Sequence, residues 1–314
     1  MNIVLIFSNN WLPYVLVQLH AIWQFNPGKL RFFLLCDGLN EAEREYINRV
    51  IRLSGCAKRV SIEIIDASGH YANHIKSNLN VTPTFTKYTL YRLLLPGLLP
   101  QNVDKILYLD ADTLVEGDIR PLYKINLKNN FLAAVGDAGA RERKTQLGFT
   151  EQEKYFNAGV LLMNLREIRK AQLQRVWLEH VNGTQYTWPD QDILNITCKG
   201  RVSFVNIIYN TFGSDNPVKH PKIIHYTVQK PWNNATVPRY DRWQKARADF
   251  DQRYLKIPKT WHIIELENSQ LSTRIAENRR ANAAILEDFT IRIWRKSDLN
   301  IEASPYWLYL YERG

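Results

Sequence analysis

The sequence predicts an α/β protein built on a mostly parallel, twisted sheet flanked by helices. Three observations carry that prediction. Short apolar, β-rich runs recur between residues 3 and 205. Amphipathic stretches of helical length separate the first three of these runs, the pattern of βαβ units. The 314 residues, 45% hydrophobic and 23% charged, have the composition of a folded globular chain, which excludes wholesale disorder, a collagen-like chain or a coiled-coil rod. The length suits one large α/β domain, or a domain of roughly 200–250 residues with an appendage.

Taken in order, strands are expected at residues 3–7, 30–36, 60–65, 105–109, 132–135, 159–163 and 202–205, and helices at 13–24 and 40–53, the second ending before Gly55. The opening run Asn2-Ile-Val-Leu-Ile-Phe7 has no Lys or Arg before it and is broken by Asn9, Asn10 and Pro13. It reads as strand, loop and helix start rather than as a signal peptide. No run approaches the ~20 apolar residues of a membrane span, so a cytoplasmic protein is expected. From Pro238 the character changes. Pro238, Pro258 and Pro305 punctuate segments that read as helices over 239–254 and 269–293. The expected division is a catalytic-sized domain over residues 1–238 and a helical C-terminal segment over 239–314.

Cys36, Cys56 and Cys198 are odd in number, widely spaced and form no CxxC pair. They read as buried thiols in a reducing compartment, not as a disulfide framework or a structural zinc site. The net charge of +10 and pI near 9.4 suit anionic company: nucleic acid, phosphorylated substrates or an acidic membrane surface. Residues 239–314 hold only three of those surplus charges. With no basic tail and no recognisable module, nucleic acid is not expected as a partner.

Ligands of parallel sheets bind beyond the carboxyl ends of the strands. The strongest motif lies at such an end: Lys105-Ile-Leu-Tyr-Leu-Asp110-Ala-Asp112-Thr-Leu-Val115. Two neighbouring carboxylates repel unless a cation lies between them, and a hard divalent ion is the natural third party. The plain alternative is a loop with two solvated aspartates. A dehalogenase-like phosphatase would use the first Asp as nucleophile, but its motif belongs near the N-terminus. Neither Gly117-Asp118-Ile nor Gly136-Asp137-Ala supplies its second acid.

Three further motifs follow. Asn157-Ala-Gly-Val-Leu-Leu-Met-Asn164 opens an apolar strand with a small-residue turn where backbone can approach a ligand closely. Trp188-Pro-Asp190-Gln-Asp192-Ile-Leu-Asn195 puts carboxylates and amides at a helix start, either to cap the helix or to bind several hydroxyls. His225-Tyr-Thr-Val-Gln-Lys230-Pro-Trp232 offers an imidazole that could complete an Asp/Asp/His divalent site. Nitrogen among the ligands favours manganese over magnesium, and Lys230 could offset a diphosphate. A structural histidine is the alternative.

The order of these four motifs closely resembles glycosyltransferase family 8, and within it the bacterial lipooligosaccharide α-galactosyltransferases and general-stress-protein-A-like enzymes. The resemblance covers about residues 1–235. It implies a GT-A (Rossmann-like) fold and retaining transfer of a hexose from a UDP-sugar, UDP-galactose or UDP-glucose. A divalent cation, commonly Mn2+ with Mg2+ as the alternative, is also implied. By matching position, Asp110, Asp112 and His225 would hold the metal and Lys230 would meet the diphosphate. Phe7, Ser8, Asn9 and Ala111 would frame uracil and ribose, while Arg92, Asn157, Ala158, Asp190 and Gln191 would surround the donor sugar. Asp190 and Gln191 would act in catalysis with Arg92. Gln191, where a nucleophile would stand, is a poor one, so the departing phosphate oxygen is expected to take the acceptor's proton on the same face.

The implied acceptor is a lipid-linked or surface glycan, as in lipooligosaccharide or capsule synthesis. A glycoprotein acceptor, or a degenerate UDP-sugar-binding protein, is the alternative. Two features depart from the family pattern. Asn9 and Trp11 replace an Asp and a smaller polar residue, and His225 and Lys230 stand one residue closer, without the usual Gly. The aromatic and basic residues of 291–296 and 305–311 suit either the inner membrane face or packing on the main domain.

Overall fold

Seven strands make the central sheet, in the spatial order β3-β2-β1-β4-β7-β6-β8. They are β1 (Asn2–Ile6), β2 (Leu30–Cys36), β3 (Val60–Asp66), β4 (Lys105–Asp110), β6 (Leu132–Gly136), β7 (Phe156–Asn164) and β8 (Val202–Val205). The computed structural model describes residues 1–254 apart from 77, 83–84 and 214–217, with the backbone of three later strands. Every strand expected from the sequence is in this sheet. The largest shift is at β7, which starts at Phe156 because Phe156 still pairs with Gly136 beyond a bulge.

Pairings within β1–β4 and between β6 and β8 are parallel, whereas β7 runs antiparallel to both β4 and β6. That reversal positions the site. The first residues of β7 lie at the same edge of the sheet as the last residues of β4. Both faces of the sheet are covered, so its strands read as continuous apolar runs. Alternate residues serve opposite cores. Leu5, Leu107, Leu109 and Leu162 pack with Val15, Leu16 and Leu19 on one face. Val4, Ile106, Tyr108 and Leu161 pack with Leu94, Trp177 and Leu194 on the other.

The two expected helices are Leu12–Phe25, with Pro13 in its first turn, and Glu41–Leu53. Asn40 and Glu43 close the second with reciprocal hydrogen bonds of 2.9 and 2.8 Å. A small second sheet was not legible in the sequence. In it β5 (Thr113–Val115) pairs antiparallel with β9 (Ile223–His225), setting Thr113 opposite His225. Cys36 and Cys198 are buried thiols and Cys56 is half-buried. Burial pushes the Cys36 thiol up to about 11 and Cys198 to about 12.

The first helix expected beyond Pro238 is present as Tyr240–Tyr254. It packs on Leu12–Phe25, where His20 contacts Asp249 at 2.7 Å and the Tyr254 hydroxyl at 2.9 Å. The C-terminal segment is not helical throughout. Residues 267–288 lie outside the described residues, but 289–293, expected to end the second helix, are strand. Here β10 (Ile264–Leu266), β11 (Phe289–Ile293) and β12 (Tyr306–Glu312) form an antiparallel sheet with β12 in the centre. Phe289-Thr-Ile-Arg-Ile293 is rich in β-branched residues, which favour a pleated strand over a helix. The side chains of the 291–296 and 305–311 motifs lie outside the described residues. Among those described, no helix is long and apolar enough to cross a membrane.

Candidate active site

Asp110 ends β4, and Asp112 follows two residues later, just before β5. Because β5 pairs with β9, the turn that carries Asp112 lies against His225. His225 Nε2 is 3.5 Å from Asp110 Oδ2 and 3.3 Å from Asp112 Oδ1. One ligand atom from each of the three residues lies within 4.8 Å of the others. The remaining oxygen of Asp110 is already committed. Its Oδ1 accepts from Arg92 Nη2 at 2.7 Å and the Tyr108 hydroxyl at 2.5 Å, which turns Oδ2 toward His225.

Two features test whether these residues suit a divalent cation. Asp112 Oδ1 is buried and accepts no hydrogen bond, an expensive state for a carboxylate oxygen unless a cation satisfies it. Gly159, opposite this corner on β7, is the second. A Cβ there would stand 2.1 Å from His225 Cε1 and 2.9 Å from Asp110 Oδ2. Glycine is thus required at 159 to admit the His225 ring. The small-residue turn expected from the sequence serves an approach between protein groups. Hard oxygens with one imidazole nitrogen are a donor set for manganese or magnesium, and the residues fit such an ion.

Lys230 stands beside this cluster despite its shortened spacing. Its Nζ donates to Asp112 Oδ2 at 2.5 Å, and to the Tyr226 and Thr227 carbonyls at 2.7 and 3.0 Å. Burial alone would raise the Asp112 carboxyl, but the Lys230 ammonium beside it holds it well below the usual carboxylate range. Two residues on, Trp232 stacks on Tyr14 at 4.2 Å and meets Trp11 edge-on at 5.0 Å. The large ring at position 11 therefore ties the loop after β1 to the Lys-Pro-Trp segment.

In that loop Phe7 is buried and its N–H continues the β1–β2 ladder to the Leu35 carbonyl at 3.1 Å. Ser8 bonds Asn10. Asn9 Nδ2 donates to the Gly38 carbonyl at 2.7 Å, whereas Asn9 Oδ1 is buried with no donor. Ala111, also buried, lies between the two aspartates.

Arg92 joins the cation cluster to the third motif. Only 5% exposed, it pairs with Asp110 and, through Nη1, with Asp190 Oδ2 at 3.0 Å, and donates to the Ala158 carbonyl at 2.7 Å. Burial pushes the Asp190 carboxyl up to about 6, against the pull of Arg92 and with help from Asp110. Gln191 Oε1 accepts from the Ala158 N–H at 2.9 Å and its Nε2 faces Asp137 Oδ2 at 3.4 Å. Asp192 follows the plainer reading. Its carboxylate takes the Trp188 N–H, the Tyr155 hydroxyl and a bidentate Arg143, so it fixes the helix Pro189–Thr197. Asn195 bonds both the N–H and the carbonyl of Phe156 and docks that helix on β7.

The structure thus gathers Asp110, Asp112, His225, Lys230, Arg92, Asp190, Gln191, Asn157 and Ala158 at one sheet edge. Sequence reasoning missed Asp137 and Asn210. Asp137 follows β6, and the rule that ligands sit beyond strand ends could have found it. Asn210 Oδ1 lies 3.0 Å from His225 Nδ1, but no motif around it signals that contact.

Residues 2–236 match the pattern of Glycosyl transferase family 8. The chain belongs to that family. It is 28% identical to a Haemophilus influenzae relative over 223 residues, 68% of this chain and 64% of that protein. It is 30% identical to the lipopolysaccharide 1,2-glucosyltransferase of Escherichia coli over 51% of this chain and 53% of that one. Both alignments span less than two thirds of the relative. The crystal structure of galactosyltransferase LgtC in complex with donor and acceptor sugar analogs superimposes with a TM-score of 0.66 at 27% identity, over 82% of this chain and 98% of that one. This family 8 chain has the GT-A fold of that neighbour.

Proposed function

We propose that the protein is a retaining, metal-dependent hexosyltransferase that moves glucose or galactose from a UDP-sugar to a glycan of the lipopolysaccharide type. The observation that carries the reading is the convergence of Asp110 Oδ2, Asp112 Oδ1 and His225 Nε2, three atoms gathered with one carboxylate oxygen unsatisfied. The relatives' activities support the sugar and acceptor classes. A lipid-linked acceptor would put the enzyme at a membrane face, which its basic charge suits.

Asp110, Asp112 and His225 would hold a divalent ion, Mn2+ by the mixed oxygen and nitrogen donor set, and that ion would supply positive charge against the diphosphate leaving group. Asn9 Oδ1, which has no donor, would accept the uracil N–H. Lys230 exchanges Asp112 for the diphosphate when donor arrives. Asp190 stabilises the positive charge developing on the sugar. With Asp190 held by Arg92, and Gln191 an amide held by Ala158, neither is a free nucleophile. This favours front-face departure, with the leaving phosphate taking the acceptor's proton.

The role of Asp190 sets the pH profile. Its carboxyl titrates near 6 and acts ionised, so kcat should rise about tenfold per pH unit below that value and level off above it. Asp190→Asn should lose this inflection and about 100-fold in kcat. Wild-type turnover by Asp190→Asn, or a rate falling as pH rises through 6, would remove Asp190 from the mechanism.

A further inference from the structure

The tautomer of His225 follows from a hydrogen-bond chain rooted in a backbone N–H. The Gly159 N–H donates to Asn157 Oδ1 at 3.0 Å, which identifies that atom as the amide oxygen. Asn210 Nδ2 donates to the same oxygen at 2.8 Å, so the other end of the Asn210 amide is its oxygen. That oxygen has no hydrogen to give. Its 3.0 Å contact with His225 Nδ1 therefore needs a proton on Nδ1. A neutral imidazole protonated at Nδ1 presents a bare lone pair at Nε2, the atom that faces Asp110 and Asp112. The three side chains are 8%, 0% and 6% exposed for Asn157, Asn210 and His225, so water does not compete for these bonds. The same orientation turns the Asn157 amide nitrogen to the Asp137 carboxylate, with which it hydrogen-bonds.

We propose that Asn210 is a positioning residue for the divalent cation, anchored by Asn157, and that it acts by holding His225 as the Nδ1–H tautomer. This rests on the metal-dependent reading above. The opposite tautomer would put an N–H at Nε2 between two carboxylates. The cluster would then close on its own hydrogen bonds and lose its nitrogen ligand. Asparagine suits position 210 because it gives a hydrogen bond at one end and accepts one at the other. Asn157, expected beside the donor sugar, has its amide oxygen committed to this relay.

The test separates metal affinity from turnover. Mn2+ titration followed by electron paramagnetic resonance, without donor, should show a 10–100-fold weaker affinity in Asn210→Leu. Asn210→Asp, which keeps an acceptor for Nδ1, should recover most of it. Long-range 1H–15N spectra of the metal-free wild type, taken well above the ordinary imidazole pKa, should show His225 protonated at Nδ1. The His225→Gln spectrum assigns the signal. Unchanged affinity in Asn210→Leu, or an Nε2–H signature in the wild type, overturns the proposal. A wild type that binds no Mn2+ ends the metal reading and the positioning role with it, while the nitrogen spectrum still reads the tautomer. If Asn210→Leu fails to fold, the wild-type spectrum and Asn210→Asp decide.

Discussion

Replacing Gly159 with alanine is expected to abolish cation-dependent nucleotide binding while leaving the protein folded. A methyl group at 159 would stand 2.1 Å from His225 Cε1 and 2.5 Å from Nδ1, well inside van der Waals contact. The strand cannot yield easily. Its neighbour Val160 is paired with Leu109, and β7 is buried almost from end to end. The His225 ring must move instead, taking Nε2 away from the aspartates and breaking the contact with Asn210. Losing a ligand should weaken binding of UDP with manganese at least about 100-fold, beyond the usual effect of an outer-shell change. The overpacking itself should cost about 1–3 kcal/mol of stability. Gly136→Ala is the control, since a Cβ there meets nothing closer than 3.8 Å. Calorimetric titration reads both variants, and wild-type binding by Gly159→Ala would show that His225 lies outside the cation site.

Arg92→Met should be the most destabilising single change at the site. The guanidinium neutralises Asp110 and Asp190 at once, bonds the Ala158 and Thr89 carbonyls, and lies 4.6 Å over the Tyr108 ring. Methionine fills much of the space but leaves the buried Asp190 carboxylate and the half-buried Asp110 carboxylate without the cation they share. Breaking a buried pair by removing one partner costs about 3–5 kcal/mol, readable as a lower urea midpoint. The pH dependence has a definite sign. Without Arg92 the folded-state pKa of Asp190 rises further above its unfolded value. The folded variant then holds a proton that the unfolded chain has released, so the loss grows as pH rises and shrinks as Asp190 is protonated in acid. A constant loss across that range would mean that Arg92 stabilises by packing alone.

Local chemistry made much of this molecule readable in advance. β4 is an apolar run that ends at Asp110, with a second carboxylate two residues on, and that change of character marks the strand end. Asn40 and Glu43 mark a helix start by themselves. The distant pairings were not readable. The meeting of His225 with Asp112 depends on β5 pairing with β9, two three-residue strands separated by more than 100 residues, and no local pattern sets that register. Asn210 shows the same gap, since a lone asparagine gains its role only from what the fold brings against it. Beyond residue 254, the segment that reads as a helix over 269–293 ends in a β-branched stretch, 289–293, that forms a strand.

In the proposed site, Asp110, Asp112 and His225 join nucleotide to protein through a divalent cation. Thermal unfolding of the wild type and of Asp112→Asn, each with UDP, with Mn2+, and with both, tests it most directly. In the wild type the stabilisation should need both ligands and reach about 2.7 kcal/mol at ~100 times Kd, and it should be absent from the variant. Equal stabilisation by UDP without the metal, or an undiminished shift in Asp112→Asn, would contradict it.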